Sequence, residues 1–150
     1  MQKVKTTDEV DELLKKMKPS QLEEFYRVNR DIMVDDSRAF YYYVKDVTEG
    51  KNIRLKDMYL YAGYTESYGS QIIRMEKHTS TRDVIIRLCT AGHFSVNEMN
   101  KALKLYGMSP LYSKNRRDVI IILELQRGNY DLYKIDEILE KNGQARLMSE

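Results

Sequence analysis

The sequence predicts an all-α protein. Its apolar-patterned segments begin at serine, threonine, aspartate or asparagine and end at glycine, as helices with a side-chain N-cap and a glycine C′ residue do. No Asn-Gly or Asp-Gly pair separates two alternating runs, so no β-hairpin is indicated. There are only two prolines and seven glycines in 150 residues, which disfavours an all-β or disordered chain, and this length favours one domain.

These start and stop signals predict nine helices. In chain order they are the segments "VDELLKKM", "LEEFYRVNRDIM", "SRAFYYYVKDV", "IRLKDMYLYA", "ESYGSQIIRM", "TRDVIIRLCTA", "VNEMNKALKLY", "RRDVIIILELQR" and "LYKIDEILEKN". Seven of them have an N-terminal residue that can cap the first turn: Thr6, Ser20, Asp35 or Asp36, Ser80, Ser95, Asn115 and Asp131. Four of these caps have an acid three residues later that can complete a capping box: Glu9, Glu23, Asp83 and Glu98. Pro19 ends the first helix, and a glycine ends six others: Gly50, Gly63, Gly92, Gly107, Gly128 and Gly143.

The first two helices, over 7–18 and 20–33, are amphipathic and slightly acidic. Residues 1–50 hold nine Lys/Arg against eleven Asp/Glu, a net charge of −2. We expect an N-terminal helical arm over 1–34 in front of a domain over 35–150. The pattern leaves open whether the arm mediates dimerisation, docks a partner or covers the core.

The last four helices contain an internal repeat. The motif "RDVIIRL" at 82–88 recurs as "RDVIIIL" at 117–123, offset by 35 residues. Residues 80–107 and 115–143 therefore predict two copies of one helical hairpin, joined by the loop "MSPLYSKN". Because two copies are fewer than a solenoid needs, we expect both to pack on the preceding helices around one core.

Residues 55–76 have the pattern of two helices joined by a tight turn at Gly63. The first helix carries an apolar stripe at i, i+3, i+4 and i+7: Leu55, Met58, Tyr59 and Ala62. Tyr64 follows the turn and can fill the core. Gly69 and Ile72 are the inward positions of the second helix, and a residue as small as Gly69 lets the two helices approach closely.

The outward face of the second helix, over 66–74, suits the major groove of DNA. Gln71 can pair bidentately with adenine, and Arg74 can reach guanine or phosphate. Candidate DNA contacts on this helix and its flanks are Arg54, Lys56, Thr65, Ser67, Tyr68, Ser70, Gln71, Arg74, Lys77 and His78. Glu66 is the exception, because a carboxylate repels phosphate unless it accepts a hydrogen bond from cytosine.

Residues from about 36 to 143 resemble the Xre-type, lambda-repressor-like helix-turn-helix family. The match is closest to a bacterial branch whose five-helix DNA-binding unit continues into a further helical hairpin. The motifs that carry it are "AGYTESYGSQI", "TSTRDVIIRL" and "LKLYGMSPLYSKNRRDVIII". The branch pattern falls on Gly63, Ser67, Tyr68, Gln71, Arg82, Asp83, Leu111, Tyr112, Arg116, Arg117 and Asp118.

The resemblance implies a lambda-repressor-like helix-turn-helix bundle extended by a duplicated helical hairpin. It also implies a sequence-specific, DNA-binding transcriptional regulator without catalysis or cofactor, of a kind that usually binds paired half-sites as a homodimer. Tyr59 stands where the broader superfamily usually has alanine, so we expect the two helices to pack differently here.

Charge points weakly in the same direction. The net charge of +2 is too small to indicate nucleic acid by itself. Residues 51–110 hold nine Lys/Arg against five Asp/Glu, a net +4, whereas residues 111–150 hold seven of each. The positive excess therefore falls on the segment predicted to contact DNA.

No enzyme, metal site or membrane segment is expected. Cys89 and His93 lie four residues apart, but Gly92 interrupts their helix and no second ligand pair exists. Neither His78 nor His93 has a partner arrangement for nucleophilic catalysis. No apolar run approaches the ~20 residues of a membrane span, and the N-terminus lacks an apolar signal region, so we expect a cytoplasmic protein.

The alternative function is a helical adaptor with a degenerate helix-turn-helix. Its support is the acidic Glu66, the low net charge and the duplicated hairpin. The segment "AFYYYV" at 39–44 has four consecutive aromatics, of which about two should be buried. The remaining tyrosines would suit a protein interface, where this residue is enriched.

Overall fold

The computed structural model of the chain describes residues 6–29 and 38–148. These residues form only helices and turns, which confirms the all-α prediction. In chain order the helices are α1 (Thr7–Lys15), α2 (Leu22–Asn29), α3 (Ala39–Gly50), α4 (Leu55–Tyr61), α5 (Glu66–Ile73), α6 (Arg82–Ala91), α7 (Val96–Leu105), α8 (Arg116–Gln126) and α9 (Leu132–Lys141). A 3-10 turn at Pro19–Gln21 precedes α2. Within the described ranges, no helix is both long and apolar enough to cross a membrane.

One apolar core extends from α3 to α9. Its largest fully buried side chains are Phe40, Met58, Ile72, Ile73, Ile85, Ile86, Leu88, Phe94, Met99, Leu103, Ile121 and Ile135. Helix α3 packs against α5 and α7, α4 packs against α5 and α6, and α6 packs against α7 and α9. This arrangement leaves α5 on the outside of the bundle, backed by α3 and α4.

The N-terminal arm is held mainly by polar contacts. No residue of α1 is buried. The Thr7 hydroxyl donates to the Asp46 carboxylate at 2.7 Å, and Lys101 Nζ lies 2.6 Å from Asp11. In α2 only Phe25 and Asn29 are buried. The arm therefore contributes little to the core, and the predicted boundary near residue 34 lies outside the described residues.

Four predicted N-caps are confirmed: Thr6, Ser95, Asn115 and Asp131 each accept a backbone hydrogen bond in the first turn. Two are wrong. Before α2, the 3-10 turn Pro19–Gln21 begins at Lys18, earlier than Ser20, and the Lys18 N–H donates to the Gln21 side chain at 2.7 Å. At α6 the N-cap is Thr81 in place of Ser80, and the Asp83 carboxylate is bound by Arg117. Asp35 and Asp36 lie outside the described residues.

The predicted glycine ends are confirmed at Gly63, Gly107, Gly128 and Gly143, which all have positive φ. Helix α3 also ends at Gly50 and α6 at its C-cap Gly92, as predicted, but neither glycine is the left-handed residue. Asn52 takes the left-handed conformation after α3, and His93, with φ of 59°, takes it after α6. Gly92 serves packing, because a Cβ there would lie 2.9 Å from Met58 Sδ and from the Phe94 ring.

The repeat forms two hairpins, α6–α7 and α8–α9, that face each other. Arg82 of the first hairpin makes two hydrogen bonds of 2.9 and 2.8 Å to Asp118 of the second. Arg117 of the second makes two of 2.8 Å to Asp83 of the first. Each arginine binds the other copy's aspartate, so the two hairpins are related by a local twofold axis and not by translation.

The repeat continues beyond the helices that the sequence indicated. The Nε atoms of Arg82 and Arg117 donate to main-chain carbonyls 36 residues apart, those of Ser109 and Ala145. The segments after α7 and α9 both return a buried leucine to the core, and each leucine N–H donates to a side chain of the preceding helix. These pairs are Leu111 with Asn100 and Leu147 with Asp136.

Acid should weaken this interface at Asp118. Burial alone would raise the pKa of Asp118, but hydrogen bonds from Arg82 and from the Tyr112 N–H, with the nearby charges of Arg82 and Arg117, hold the pKa below its ordinary 3.8. A depressed pKa in the folded state adds stability above the unfolded-state pKa, and this stability is lost as pH falls towards the folded-state pKa. We expect the difference in unfolding free energy between wild type and Asp118→Asn to be constant from about pH 7 to 5 and to shrink below about pH 4. Urea unfolding at each pH measures it, and a difference that grew in acid would contradict the assignment.

Candidate nucleic-acid interface

The turn between α4 and α5 is fixed by helix α6. Ala62 caps α4, Gly63 has φ of 85°, and the Thr65 hydroxyl accepts a 3.1 Å hydrogen bond from the Tyr68 N–H at the start of α5. The Arg87 guanidinium donates two hydrogen bonds to the Ala62 carbonyl, at 3.0 and 2.7 Å, and lies 4.1 Å from the centre of the Tyr64 ring. Arg87 of α6 therefore fixes the turn that sets the angle between α4 and α5.

Helices α4 and α5 meet where Gly69 lies against Tyr59. Tyr59 is 3% exposed, and a Cβ on Gly69 would lie 2.5 Å from Tyr59 Cγ. The large residue at position 59 thus fits because position 69 has no side chain. Burial raises the pKa of Tyr59, and this outweighs the lowering effects of the nearby Arg74 charge and of Ser70.

Most of the predicted contact residues are on the surface. Seven are exposed: Arg54, Lys56, Thr65, Ser67, Arg74, Lys77 and His78. Three are partly buried: Tyr68, Ser70 and Gln71. Within α5, burial is confined to Gly69, Ile72 and Ile73. The outward side of α5 is therefore fully exposed only at Glu66 and Ser67 in its first turn, and it is partly exposed at Tyr68, Ser70 and Gln71.

Arg74, the C-cap residue of α5, belongs to an aromatic and cationic group shared with α3. Its guanidinium lies 5.8 Å from the centre of the Tyr41 ring. Arg38 lies 5.1 Å from the same ring and 5.8 Å from the ring of Tyr42. A guanidinium stacked on a ring has fewer conformations to lose when it binds a phosphate or a base.

Lys77 and His78, which follow α5, also lie against aromatic rings. Lys77 Nζ lies 5.3 Å from the centre of the Tyr68 ring. His78 stacks on Tyr106 of α7 with ring centres 4.8 Å apart, and the Tyr106 hydroxyl accepts a 2.9 Å hydrogen bond from the Thr79 N–H. The segment between α5 and α6 is therefore anchored to α7, and it presents its cations from a fixed backbone.

The positive excess of residues 51–110 is smaller at the surface than the sequence suggested. Four cations there are ion-paired: Lys51 with Glu98, Arg54 with Asp57, Arg82 with Asp118 and Lys101 with Asp11. Arg87 is bound to a main-chain carbonyl. Lys56, Arg74, Lys77 and Lys104 make none of the described ion pairs. Three of these four lie on the segment predicted to contact DNA.

Cys89 and His93 are not brought together. Cys89 is buried, and burial raises the pKa of its thiol. His93 is exposed, and its ring stacks on Tyr130 with centres 4.6 Å apart. The described residues contain no group of three or more His, Cys, Asp or Glu side chains placed to hold a metal.

The structure adds Arg38 and Tyr41 to the candidate interface. Two of the four consecutive aromatics, Phe40 and Tyr43, are buried as expected, whereas Tyr41 is partly buried and Tyr42 is exposed. The spacing of Arg38 and Tyr41 at i, i+3 could have indicated a cation–π pair. The contact of Tyr41 with Arg74 could not be inferred, because it joins two separate helices.

Comparison of the chain with protein-family models, curated proteins and solved structures gives no significant match. The candidate interface therefore rests on its own geometry.

Proposed function

We propose that this protein is a sequence-specific DNA-binding transcriptional regulator of the Xre-like helix-turn-helix kind. In this proposal α4 and α5 are the helix-turn-helix, α5 enters the major groove, and the protein acts as a homodimer in the bacterial cytoplasm. The observation that carries it is the outward side of α5, exposed at Glu66 and Ser67 and partly exposed at Tyr68, Ser70 and Gln71. It is followed by the exposed cations Arg74 and Lys77, which lie over tyrosine rings. A helix presented in this way fits the ~12 Å width of the major groove.

Roles within the interface follow from position. Gln71 and Arg74 are the candidates for base contacts, because amide and guanidinium groups can pair bidentately with adenine and guanine. Lys77, His78, Arg54 and Lys56 are candidates for phosphate contacts, which set affinity and its salt dependence. Glu66 at the start of α5 selects against phosphate and for a cytosine amino group.

Replacing Gln71 and Arg74 by alanine should reduce binding to the preferred site by tenfold or more. Each good bidentate contact contributes about 1–3 kcal/mol of discrimination. Fluorescence anisotropy with random-sequence duplexes across a salt series, followed by selection from a random library, supplies the site. The double variant is then compared on that site and on a scrambled duplex.

The matched control is Gln126→Ala with Arg127→Ala. Gln126 and Arg127 lie at the C-terminal end of α8 and are both exposed, and Arg127, like Arg74, is a C-cap residue. The control should bind like the wild type. Equal losses in the two double variants would refute α5 as the reading helix, and no binding at low salt would refute the DNA-binding proposal altogether.

A protein adaptor is the second candidate, and exposed tyrosines favour it. Tyr61 and Tyr133 are 74% and 75% exposed and line one groove of about 580 Å³ with the stacked His93 and Tyr130. Tyrosine is enriched in protein interfaces. A pull-down that recovers one stoichiometric partner equally well after nuclease treatment would support this candidate, and loss of the partner on nuclease treatment would count against it.

A further inference from the structure

The two hairpin copies are not covered equally. Leu88 of α6 is fully buried, whereas Leu123, its counterpart on α8 in the repeat, is 56% exposed. Ile85 is fully buried, whereas its counterpart Ile120 is only partly buried. The cause is α4, which packs against α6. Among the described helices, α8 packs against α7 and α9, and the face that corresponds to the α4-covered side of α6 stays open.

This open face of α8 has an apolar centre and a basic rim. Val119, Ile120 and Leu123 occupy successive turns, with Arg116 before them and Arg127 after them on the same side of the helix. A groove of about 380 Å³ extends from Val119 and Ile120 to the end of α9, and its lining includes Lys114 and Arg116 but no carboxylate.

We propose that the α8 face, defined by Arg116, Val119, Ile120, Leu123 and Arg127, binds an amphipathic helix of another protein, with an apolar stripe flanked by acidic residues. The first hairpin copy shows that this surface accepts a helix, since α4 occupies its equivalent on α6. The basic rim selects the sign of the flanking charges, because opposite charges across an interface favour the right partner and like charges exclude wrong ones.

The same charge argument disfavours a second copy of this chain as the partner that packs on the α8 face. Two α8 faces packed in parallel would set Arg116 against Arg116, and antiparallel packing would set Arg116 against Arg127. Both arrangements place like charges together. The groove beside Arg116 is lined by no carboxylate, and Arg127 has only Glu124, at 3.6 Å, to compensate its charge. Duplex DNA is also disfavoured, because phosphates would lie over the apolar centre of the face.

The test uses two labelled synthetic peptides of about five helical turns, each with leucines at i, i+3, i+4 and i+7. One carries glutamates beside the leucine stripe, and the other carries lysines at those positions. By fluorescence anisotropy, the full-length protein should bind the glutamate peptide at least tenfold more tightly than the lysine peptide. Equal affinity for both peptides would overturn the proposal.

Two variants locate the binding. Leu123→Glu should weaken binding of the glutamate peptide at least tenfold, whereas Leu60→Glu, at a leucine that is 53% exposed on α4, should leave it unchanged. Arg116→Glu with Arg127→Glu should reverse the preference in favour of the lysine peptide. Equal effects of Leu123→Glu and Leu60→Glu, at unchanged thermal stability, would overturn the α8 assignment.

The same variants separate this inference from the DNA-binding proposal. DNA binding through α5 should be unaffected by Leu123→Glu. If duplex DNA binding were lost in the Arg116 and Arg127 double variant while Leu123→Glu bound the glutamate peptide normally, the α8 face would be a nucleic-acid contact and the proposed helix site would be wrong.

Discussion

Gly69→Ala is expected to destabilise the protein by about 2–3 kcal/mol, even though alanine is the better helix former. The added Cβ would lie 2.5–2.7 Å from three atoms of the buried Tyr59 side chain. Relief requires α4 and α5 to separate, which disturbs both the core and the turn that Arg87 holds. Urea unfolding followed by circular dichroism at pH 7 measures the change in unfolding free energy.

The matched control is Ser67→Ala on the exposed side of the same helix, which should change stability by less than about 0.5 kcal/mol. A double-mutant cycle with Tyr59→Ala tests the cause. Tyr59→Ala by itself should cost about 3–5 kcal/mol, as removal of a large buried ring does. In that background Gly69→Ala should be neutral or stabilising. An equal cost in both backgrounds would show that Tyr59 is not the obstacle.

Asp118→Ala should cost about 3–5 kcal/mol, the effect of removing one partner of a buried ion pair. Asp118 is 5% exposed and accepts two hydrogen bonds from Arg82 and one from the Tyr112 N–H. The variant leaves the Arg82 guanidinium between the two hairpins without the carboxylate that it binds. Thermal and urea unfolding at pH 7 provide the measurement.

The local twofold axis supplies an internal control, Asp83→Ala. This substitution breaks the other Arg–Asp pair, whose aspartate is 29% exposed and whose arginine is 18% exposed. Because water screens and solvates the more exposed carboxylate, we expect a cost of about 1 kcal/mol. The two geometrically equivalent pairs should therefore differ severalfold in their contribution to stability. Equal costs would mean that burial of Asp118 is not the decisive factor.

Local signals predicted the helices well, because caps and left-handed turns are decided within a few residues. The capping box of Ser95 and Glu98 forms as expected, with both hydrogen bonds present. The N-cap of α6 is Thr81, one residue after the predicted Ser80, and its side chain makes no capping hydrogen bond, while the Asp83 carboxylate is bound by the distant Arg117. Such competition depends on residues more than 30 positions away, which a local pattern does not contain.

The outward side of α5 could be predicted from the sequence, but the aromatic residues that lie against Arg74 and His78 could not. The spacing of Gly69 and Ile72 identified the buried side of α5, and so its open side. The aromatic supports of Arg74 and His78 come from α3 and α7, where Tyr41 and Tyr106 lie 33 and 28 residues away in the sequence. The repeat revealed that two hairpins exist, but the motif alone fits a translational array as well as a twofold pair.

The reciprocal Arg–Asp pairs have a consequence for how much sequence is needed to encode an interface. A surface that binds its own copy across a twofold axis must satisfy only one set of complementarity rules, as in isologous homodimers. Here the dipeptide Arg-Asp occurs once in each copy, as Arg82-Asp83 and Arg117-Asp118. Each arginine binds the aspartate of the other copy, so one dipeptide encodes both sides of the contact. Once both copies are in one chain, their other faces no longer need to be the same. Leu88 is buried in the first copy, whereas its counterpart Leu123 is exposed in the second.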